Sequence, residues 1–268
     1  MTRIATIGLV HVYDGITRAL DGVDLDIPTG QRVAIVGRNG SGKSTLVRHL
    51  NGLLRPTEGR VLHDGDDIRE RRVAHLAATA GLVFQDPDRQ IFAGSVRAEV
   101  SFGARNLGRR GADLDRAVAA AIEAVGLAGD AGTNPYDLGY SRRKLLALAS
   151  ILAMETPVVI LDEPTTGQDA RGVAQIQRIV ADLATAGRTV ITISHDMRFV
   201  AESFERVVVM RSGRVILDGP PTTVFAAEHA ETLASTYLEP PLAARLGERL
   251  GLGATPTESA LLAALERA

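Results

Sequence analysis

The chain has 268 residues, of which 45% are apolar and 23% are charged, as in ordinary soluble globular proteins. Its net charge of −2 argues against a polycation that binds nucleic acid through overall charge. The sequence contains no cysteine, which excludes disulfide bonds and thiolate metal sites and fits a reducing compartment. The length suits one large domain, or one domain with an appendage.

The amino terminus, MTRIATIGLVHVYDG, lacks the apolar core and the cleavage site of a signal peptide. The longest apolar run, LLALASILAM, stops at Glu155-Thr156-Pro157 and is too short to span a bilayer. We therefore expect a chain that does not cross a membrane, although it can lie against one.

Short β-branched runs alternate with segments of helical periodicity. Strands are predicted at RVAIVG (32–37), GLVFQ (81–85), PVVILDEP (157–164) and RTVITISHD (188–196). Helices are predicted at 44–54, at 113–125 and at 173–187, where Gly187 ends the segment. This alternation predicts an α/β fold with a mainly parallel sheet that is covered on both faces.

The two ends of the chain follow other patterns. Residues 4–27 are predicted to form β-strands, and residues 206–219 a hairpin that turns at Arg211-Ser212-Gly213. Residues 222–268 are typical of helices, broken at Pro240-Pro241 and at 251–253. We predict a main domain at residues 1–221 and a small helical C-terminal extension at residues 222–268.

A glycine-rich motif, G-x-x-x-x-G-K-[ST], follows a predicted strand and opens a predicted helix. Glycines let such a loop curl until its N–H groups point at phosphate oxygens, and the helix N-terminus adds partial positive charge. Lys43 supplies a full charge for the β- and γ-phosphates, and the Ser44 hydroxyl can ligate Mg²⁺. The alternative, a glycine-rich turn that matches by chance, is disfavoured by the flanking strand and helix. The predicted ATP-binding residues of this loop are Gly37, Arg38, Asn39, Gly40, Ser41, Gly42, Lys43, Ser44 and Thr45.

Two acidic residues end the predicted strand of buried apolar residues at 158–161. Asp162 is placed to hold Mg²⁺, in part through water. Glu163 comes one step later, points elsewhere, and can polarise the water that attacks a γ-phosphate. Taken alone, the pair is better explained as a cap of the next turn, for which Pro164 would be natural. The phosphate-binding loop favours the nucleotide site.

Three more polar residues fit such a site. Gln85 ends a predicted strand and can reach Mg²⁺ or the attacking water. His195 also follows a strand and can contact the γ-phosphate, because Asp196 is the better helix cap; alternatively His195 is itself a cap or a core residue. Tyr13 can stack on adenine, or it is a tyrosine on the surface of a sheet.

The order of these motifs resembles that of the ATP-binding subunits of ABC transporters, over residues 1–220. The resemblance implies a parallel sheet core, an antiparallel β subdomain and a helical subdomain at about 86–156. It assigns adenine stacking to Tyr13, phosphate and Mg²⁺ binding to the glycine-rich loop, Mg²⁺ to Asp162, and catalysis to Gln85, Glu163 and His195. It also implies a D-loop, which includes Gly167, Gln168 and Asp169.

The segment FQDPDRQIFAGSVRAEVSFGARNLG (84–108) is similar to the corresponding segment of energy-coupling factor (ECF) and cobalt-type importers. The tail LEPPLAARLGERLGL (238–252) resembles the C-terminal extension of that group, which helps to pair two ATPase subunits. The resemblance implies an ATPase at the cytoplasmic face of the cell membrane. Its expected partners are membrane transport components and a second ATPase subunit, and its cargo would be a vitamin or a transition-metal ion.

The ABC signature, Leu-Ser-Gly-Gly-Gln in the family, faces the phosphate-binding loop of the opposing subunit. The corresponding residues here are Leu138, Gly139, Tyr140, Ser141 and Arg142. The serine has become glycine, and the first glycine has become a tyrosine that should hinder close backbone approach. We therefore predict a degenerate signature and favour a heterodimer with a subunit whose signature is intact, with a homodimer as the alternative.

Arg142, Arg143 and Lys144 follow at a predicted helix start, where positive charge opposes the helix dipole. A facing triphosphate would explain Arg142 and Arg143; a solvated basic helix start is the alternative. Two other functions remain open: a regulatory subunit that binds ATP with little turnover, and a soluble ABC ATPase that acts on nucleic acid or ribosomes.

Overall fold

A computed structural model describes residues 2–268 of the chain. Its strands are β1 (Ile4–Tyr13), β2 (Thr17–Ile27), β3 (Arg32–Val36), β4 (Glu58–His63), β5 (Asp66–Asp67), β6 (Ala80–Val83), β7 (Val158–Asp162), β8 (Thr189–Ile193), β9 (Arg206–Arg211) and β10 (Arg214–Gly219). Its α-helices are α1 (Lys43–Leu50), α2 (Val73–Ala77), α3 (Val96–Asn106), α4 (Gly111–Ala124), α5 (Tyr140–Leu152), α6 (Ala170–Thr185), α7 (Met197–Ser203), α8 (Pro221–Val224), α9 (Ala230–Ala234), α10 (Leu242–Arg249) and α11 (Glu258–Leu265).

The larger sheet has six strands in the order β10-β9-β3-β8-β7-β6, and all neighbours except β10 and β9 run parallel. Every residue of β7 and β8 is buried, because both faces of this sheet are covered, one by helices and the other by α1 and the smaller sheet. The register pairs Ile35 with Ile193 and Asp162 with Ile193, so the carboxyl ends of β3, β8 and β7 meet at one edge. The predicted parallel sheet is confirmed.

The smaller sheet is antiparallel, in the order β2-β1-β4-β5. Its inward apolar side chains share a core with α1 and one face of the larger sheet. The strands predicted within residues 4–27 are confirmed, whereas β4 and β5 were not predicted. Their segment, EGRVLHDGDD, has few apolar residues, and the strands form because β1 supplies a pairing edge.

The opposite face of the larger sheet is covered by helices, and α3, α4 and α5 lie between β6 and β7 in the chain. The predicted helix at 113–125 is found at Gly111–Ala124, and the helix predicted at 173–187 begins earlier, at Ala170. Asp169 explains that earlier start, because its side chain accepts from the Gly172 N–H at 2.8 Å and caps the helix.

Residues 222–268 form short helices that break at the predicted prolines and glycines. They pack onto the main body through buried apolar side chains such as Phe225 and Leu233. Within residues 2–268, none of the helices has the length and apolarity that a membrane crossing needs.

Two histidines, His11 and His49, lie against each other between α1 and the antiparallel sheet. His49 is fully buried, and its Nδ1 donates to the Thr45 carbonyl at 2.8 Å. Its Nε2 is therefore the acceptor for Nδ1 of His11, at 3.2 Å. Burial is the main cause that lowers the pKa of His49.

We expect the free energy of unfolding to depend on His49 below about pH 6.5, the ordinary pKa of histidine. Because its pKa is lower in the folded state, the unfolded chain binds a proton that the folded chain excludes, and stability falls as the pH falls. The thermal unfolding midpoint should therefore drop more in the wild type than in His49→Gln between about pH 7.5 and about pH 5.5. The exposed His75→Gln is the control and should behave as the wild type. Equal pH sensitivity of wild type and His49→Gln would contradict this account.

Candidate functional site

The glycine-rich loop curls between the end of β3 and the first turn of α1. Its glycines 37, 40 and 42 have φ angles of +148°, +79° and +102°, which side chains other than glycine rarely adopt. The N–H of Gly213, in the turn between β9 and β10, donates to the Ser41 carbonyl at 3.0 Å. The loop is thus shaped by its glycines and supported from outside by the predicted hairpin.

Lys43 opens α1 and points back under the loop. It is 8% exposed, and its Nζ donates to the carbonyls of Gly37 at 2.6 Å and Arg38 at 3.0 Å. Burial lowers the pKa of Lys43, while the charges of Glu163 and Asp162 raise it. A buried ammonium whose main partners are two neutral carbonyls is ready to exchange them for anionic oxygens.

Asp162 ends β7 at the same edge of the sheet. Its Oδ1 is buried without a hydrogen-bond partner. Burial, followed by the charge of Glu163, raises the pKa of Asp162. The charge of Arg48, a hydrogen bond from the Ser44 side chain and the charge of Lys43 oppose that shift. An unpartnered buried carboxylate oxygen is costly, and a bound cation would remove that cost.

Glu163 follows with φ +51°, in the left-handed region, so the chain turns sharply out of the sheet. Its N–H donates to the Ile193 carbonyl at 2.9 Å. Its Oε2 lies 2.7 Å from Nδ1 of His195, whose side chain is 65% exposed. Asp196 caps α7 by accepting from the Phe199 N–H at 3.0 Å, as predicted, and this leaves the His195 ring available to Glu163.

The loop, Lys43 and the two acids border a cavity of about 200 Å³, and His195 reaches it only through its contact with Glu163. It is lined by Asn39, Gly40, Ser41, Gly42, Lys43, Ser44, Thr45, Gln85, Asp162, Glu163 and Ile193. Gln85 lies two residues beyond the end of β6 rather than inside the strand, and its side chain is exposed. The structure therefore brings the phosphate loop, Gln85 and both predicted acids to one place.

Tyr13 ends β1 beside this cavity. Its hydroxyl lies 3.3 Å from the Thr45 hydroxyl, and its ring meets the His11 ring edge-on at 4.4 Å. Tyr13 is thus more than an isolated tyrosine on the surface of a sheet, because it contacts the helix that the loop opens.

The segment predicted to be a degenerate signature lies at the start of α5, where Gly139 precedes the first helical residue. Its residues contact Gly167 and Gln168 of the predicted D-loop in the same chain. The Ser141 hydroxyl donates to Oε1 of Gln168 at 2.6 Å, and Nε2 of Gln168 donates to the Ser141 carbonyl at 3.0 Å. The Tyr140 ring packs on Gly167, where an added Cβ would lie 3.0 Å from the ring.

The cations that follow all have partners within the chain. Arg142 pairs with Asp130. Arg143 lies 3.0 Å from Asp88 and donates to the Leu138 carbonyl at 2.8 Å. These contacts explain how both arginines are tolerated without a triphosphate.

Lys144 departs from the expected basic helix start. It is 4% exposed, and its Nζ donates to the carbonyls of Glu163 and Thr166, the latter at 3.1 Å. Helical periodicity could have revealed this, because Lys144 is three to four residues before the buried Ala147 and Leu148 and lies on their face of α5. Burial lowers the pKa of Lys144 to about 8. The negative charges of Glu163, Asp162 and Asp86 oppose this shift but do not cancel it.

A glycine-rich loop at the end of a parallel strand, a buried lysine under it and an acidic pair two strands away define a P-loop nucleotide-binding protein. Residues 20–166, more than half of the chain, match the family described as ABC transporter.

Relatives with known names include ATP-binding proteins of energy-coupling factor transporters. Over 247 residues the chain is 43% identical to the energy-coupling factor transporter ATP-binding protein EcfA2 of Symbiobacterium thermophilum, with 90% of this chain and 85% of the relative covered. A putative ABC transporter ATP-binding protein of Methanosarcina acetivorans is 42% identical over 89% of this chain, which spans only 38% of that longer relative.

Solved structures agree. The chain has a TM-score of 0.77 and 36% identity to cbiO1 of Clostridium perfringens, described as part of the ABC transporter complex cbiONQ, with 92% of this chain and 98% of that one covered. A dimeric ATP-binding cassette bound to ADP and phosphate has a TM-score of 0.74 and 25% identity, over 81% of this chain and 98% of that one. The chain belongs to the ABC transporter family of ATPases. The fold class and the ECF-type resemblance predicted from the sequence are confirmed.

We expect Gly42→Ala to destabilise the chain more than Gly40→Ala does. A Cβ at Gly42 would lie 2.5 Å from the Ala19 carbonyl oxygen, whereas one at Gly40 would meet no atom within 4 Å. Both alanines are strained by positive φ, so the pair isolates the steric contact. The difference in unfolding free energy, measured in denaturant without nucleotide, should exceed about 1 kcal/mol. Equal destabilisation of the two variants would show that the contact does not shape the loop.

Proposed function

We propose that this chain is the ATP-hydrolysing subunit of an ECF-type importer, and that it couples ATP binding and hydrolysis to uptake through a membrane partner. The cargo class would be a vitamin or a transition-metal ion. The observation that carries the proposal is the cavity in which a buried lysine on neutral carbonyls faces a buried carboxylate oxygen without a partner. Mg²⁺-ATP would offer anionic oxygens to Lys43 and a cation to Asp162.

ATP would enter with its phosphates in the glycine-rich loop and its adenine on Tyr13. The N–H groups of the loop and the start of α1 would bind phosphate oxygens, and Lys43 would exchange its carbonyl partners for the β- and γ-phosphates. The Tyr13 ring, which the Thr45 contact places beside α1, would stack on the base. Such stacking contributes ~1–3 kcal/mol.

The donor set also fits Mg²⁺, a hard cation that prefers oxygen ligands. Ser44, Gln85 and Asp162 line the same cavity, and Oδ1 of Asp162 is buried without a hydrogen-bond partner. These three would hold the ion, Asp162 in part through water. Bound Mg²⁺ would neutralise charge that develops on the phosphates.

Glu163 would accept the proton of the attacking water, because its carboxylate borders the same cavity and is almost fully buried. His195 contacts this carboxylate through its Nδ1 and, with ATP bound, would donate an N–H to the γ-phosphate. Gln85 would help to orient the water.

We further propose that two ATPase subunits enclose each nucleotide, with the signature of one facing the phosphate loop of the other. Here Gly139 and Tyr140 replace a serine and a glycine of the signature. A lost charge-assisted hydrogen bond to the γ-phosphate costs ~1.5–3 kcal/mol, which weakens engagement about ten- to hundredfold. The contacts of Tyr140 and Ser141 with their own D-loop support a role other than close approach to ATP. We therefore favour a heterodimer with a partner of intact signature over a homodimer.

The C-terminal extension, residues 222–268, is proposed to contribute to that dimer. Its helices leave apolar side chains exposed that would be costly on a free surface. On α10 and α11 these are Leu242, Leu246, Leu262 and Leu265.

The membrane partner is proposed to bind an apolar groove beside Gln85. The groove has a volume of about 320 Å³ and includes the side chains of Phe84, Phe92, Phe102, Ile151 and Met154. Phe92 is 60% exposed and Phe102 48% exposed, and their rings meet edge-on at 4.7 Å. A partner segment that covers them would place the chain at the cytoplasmic face of the membrane.

A regulatory subunit with little turnover is the second candidate, and the altered signature is the observation that favours it. Glu163→Gln separates the two. We expect this variant to bind ATP as the wild type does and to lose at least about a hundredfold in turnover, because the general base is gone. The control is Glu155→Gln, since Glu155 also has positive φ but lies outside the site. Turnover that is equal in Glu163→Gln and the wild type would favour the regulatory role.

Addition of a partner ATPase with an intact Leu-Ser-Gly-Gly-Gln signature should raise the ATP turnover of this chain about tenfold or more. To assign hydrolysis to this chain, the partner carries a glutamine in place of its own catalytic glutamate. Fast hydrolysis by the chain alone, abolished by Glu163→Gln, would reject the need for a partner.

A further inference from the structure

Lys144 is a buried cation that the proposed reaction does not use. It belongs to the first turn of α5, yet its Nζ reaches the carbonyls of Glu163 and Thr166. Among residues 2–268, no carboxylate lies within ion-pair distance of its Nζ. Its direct partners are therefore backbone oxygens on the segment that follows β7.

That segment is conformationally demanding. Glu163 adopts φ +51°, a left-handed conformation that is unfavourable for a residue with a side chain. Its N–H still donates to a carbonyl of β8, but its own carbonyl points away from the sheet and makes no hydrogen bond to a strand. The donors to this carbonyl are the Lys144 ammonium and, at 3.4 Å, the N–H of Thr166. Lys144 thus stabilises the reversed backbone conformation from outside the strand.

The backbone conformation of Glu163 decides where its carboxylate lies. With the carbonyl fixed, the side chain reaches Nδ1 of His195 at 2.7 Å and borders the cavity. Relaxation of φ towards the ordinary region would rotate the Cα–Cβ bond and move the carboxylate. Displacements of about 1 Å at such a group cost on the order of a hundredfold in rate.

A purely structural lysine would explain these contacts less well. An apolar side chain of similar length could fill the same space without the cost of burying an ammonium. Two other contacts of the same helix turn also end on this segment, namely Ser141 with Gln168 and Tyr140 with Gly167. The first turn of α5 therefore contacts residues 163–168 through three side chains, those of Tyr140, Ser141 and Lys144.

We propose that Lys144 is a positioning residue for ATP hydrolysis, which holds the Glu163 carbonyl and so aims the Glu163 carboxylate within its own chain. The signature segment would then control hydrolysis at the site of its own subunit as well as facing the opposing one. This inference rests on the proposed role of Glu163 as the base.

The test is single-turnover cleavage of radiolabelled Mg²⁺-ATP by an excess of the purified full chain in the presence of the hydrolysis-deficient partner ATPase described above, with the ATP dissociation constant measured separately. Lys144→Met should lower the cleavage rate at least tenfold and leave the dissociation constant within threefold of the wild type. Lys144→Arg, which keeps donors for both carbonyls, should recover most of the rate. Arg188→Met is the matched control, because Arg188 also donates to a backbone carbonyl, that of Thr156 at 2.7 Å, but outside the cavity. It should leave the rate unchanged.

A Lys144→Met rate within twofold of the wild type would overturn the proposal, as would a rate loss matched by an equal loss of ATP affinity. Glu163→Gln, run in parallel, reports on the underlying function: if it cleaves as fast as the wild type, the role of Glu163 is wrong. In that case the crystal structure of Lys144→Met still tests whether Lys144 positions Glu163. A changed Glu163 φ and a lost His195 contact support positioning, and an unchanged arrangement contradicts it.

Discussion

Four buried charges at the carboxyl edge of the parallel sheet constrain the rest of this molecule. Lys43, Lys144, Asp162 and Glu163 are each less than a tenth exposed. Isolated charges are costly in such surroundings, and they persist only where partners compensate them. The ammonium groups are held by carbonyls of two tight turns, and Glu163 by His195, so the turns and the charges depend on each other. Of these four groups, Asp162 keeps a buried oxygen without a hydrogen-bond partner, which favours cation binding at this position.

The sequence predicts this site where chemistry depends on local spacing. The motif around Lys43, the acids after a buried strand and the end of β8 at His195 all follow from the chain order of short segments. A parallel sheet then brings their carboxyl ends together whatever the loop lengths are. For the same reason, β4 and β5 were missed, because their formation depends on the edge of β1 rather than on their own composition.

The direction of side chains at the start of α5 could not be predicted in full. Arg142, Arg143 and Lys144 are adjacent in the sequence, but a helix turns about 100° per residue and sends them to different surroundings. Asp130 and Asp88 receive the arginines, and the turn after β7 receives the lysine. Those partners are distant in the sequence, so only the tertiary structure shows that the start of α5 contacts the turn after β7 of the same chain.

The most direct measurement is a crystal structure of the full chain with Mg²⁺ and a nonhydrolysable ATP analogue. The account predicts that Nζ of Lys43 leaves the Gly37 and Arg38 carbonyls for phosphate oxygens. It also predicts that Oδ1 of Asp162 binds the metal or a water on it. If Lys43 kept both carbonyls and Asp162 stayed without a partner beside a bound nucleotide, the charge balance proposed for this site would be wrong.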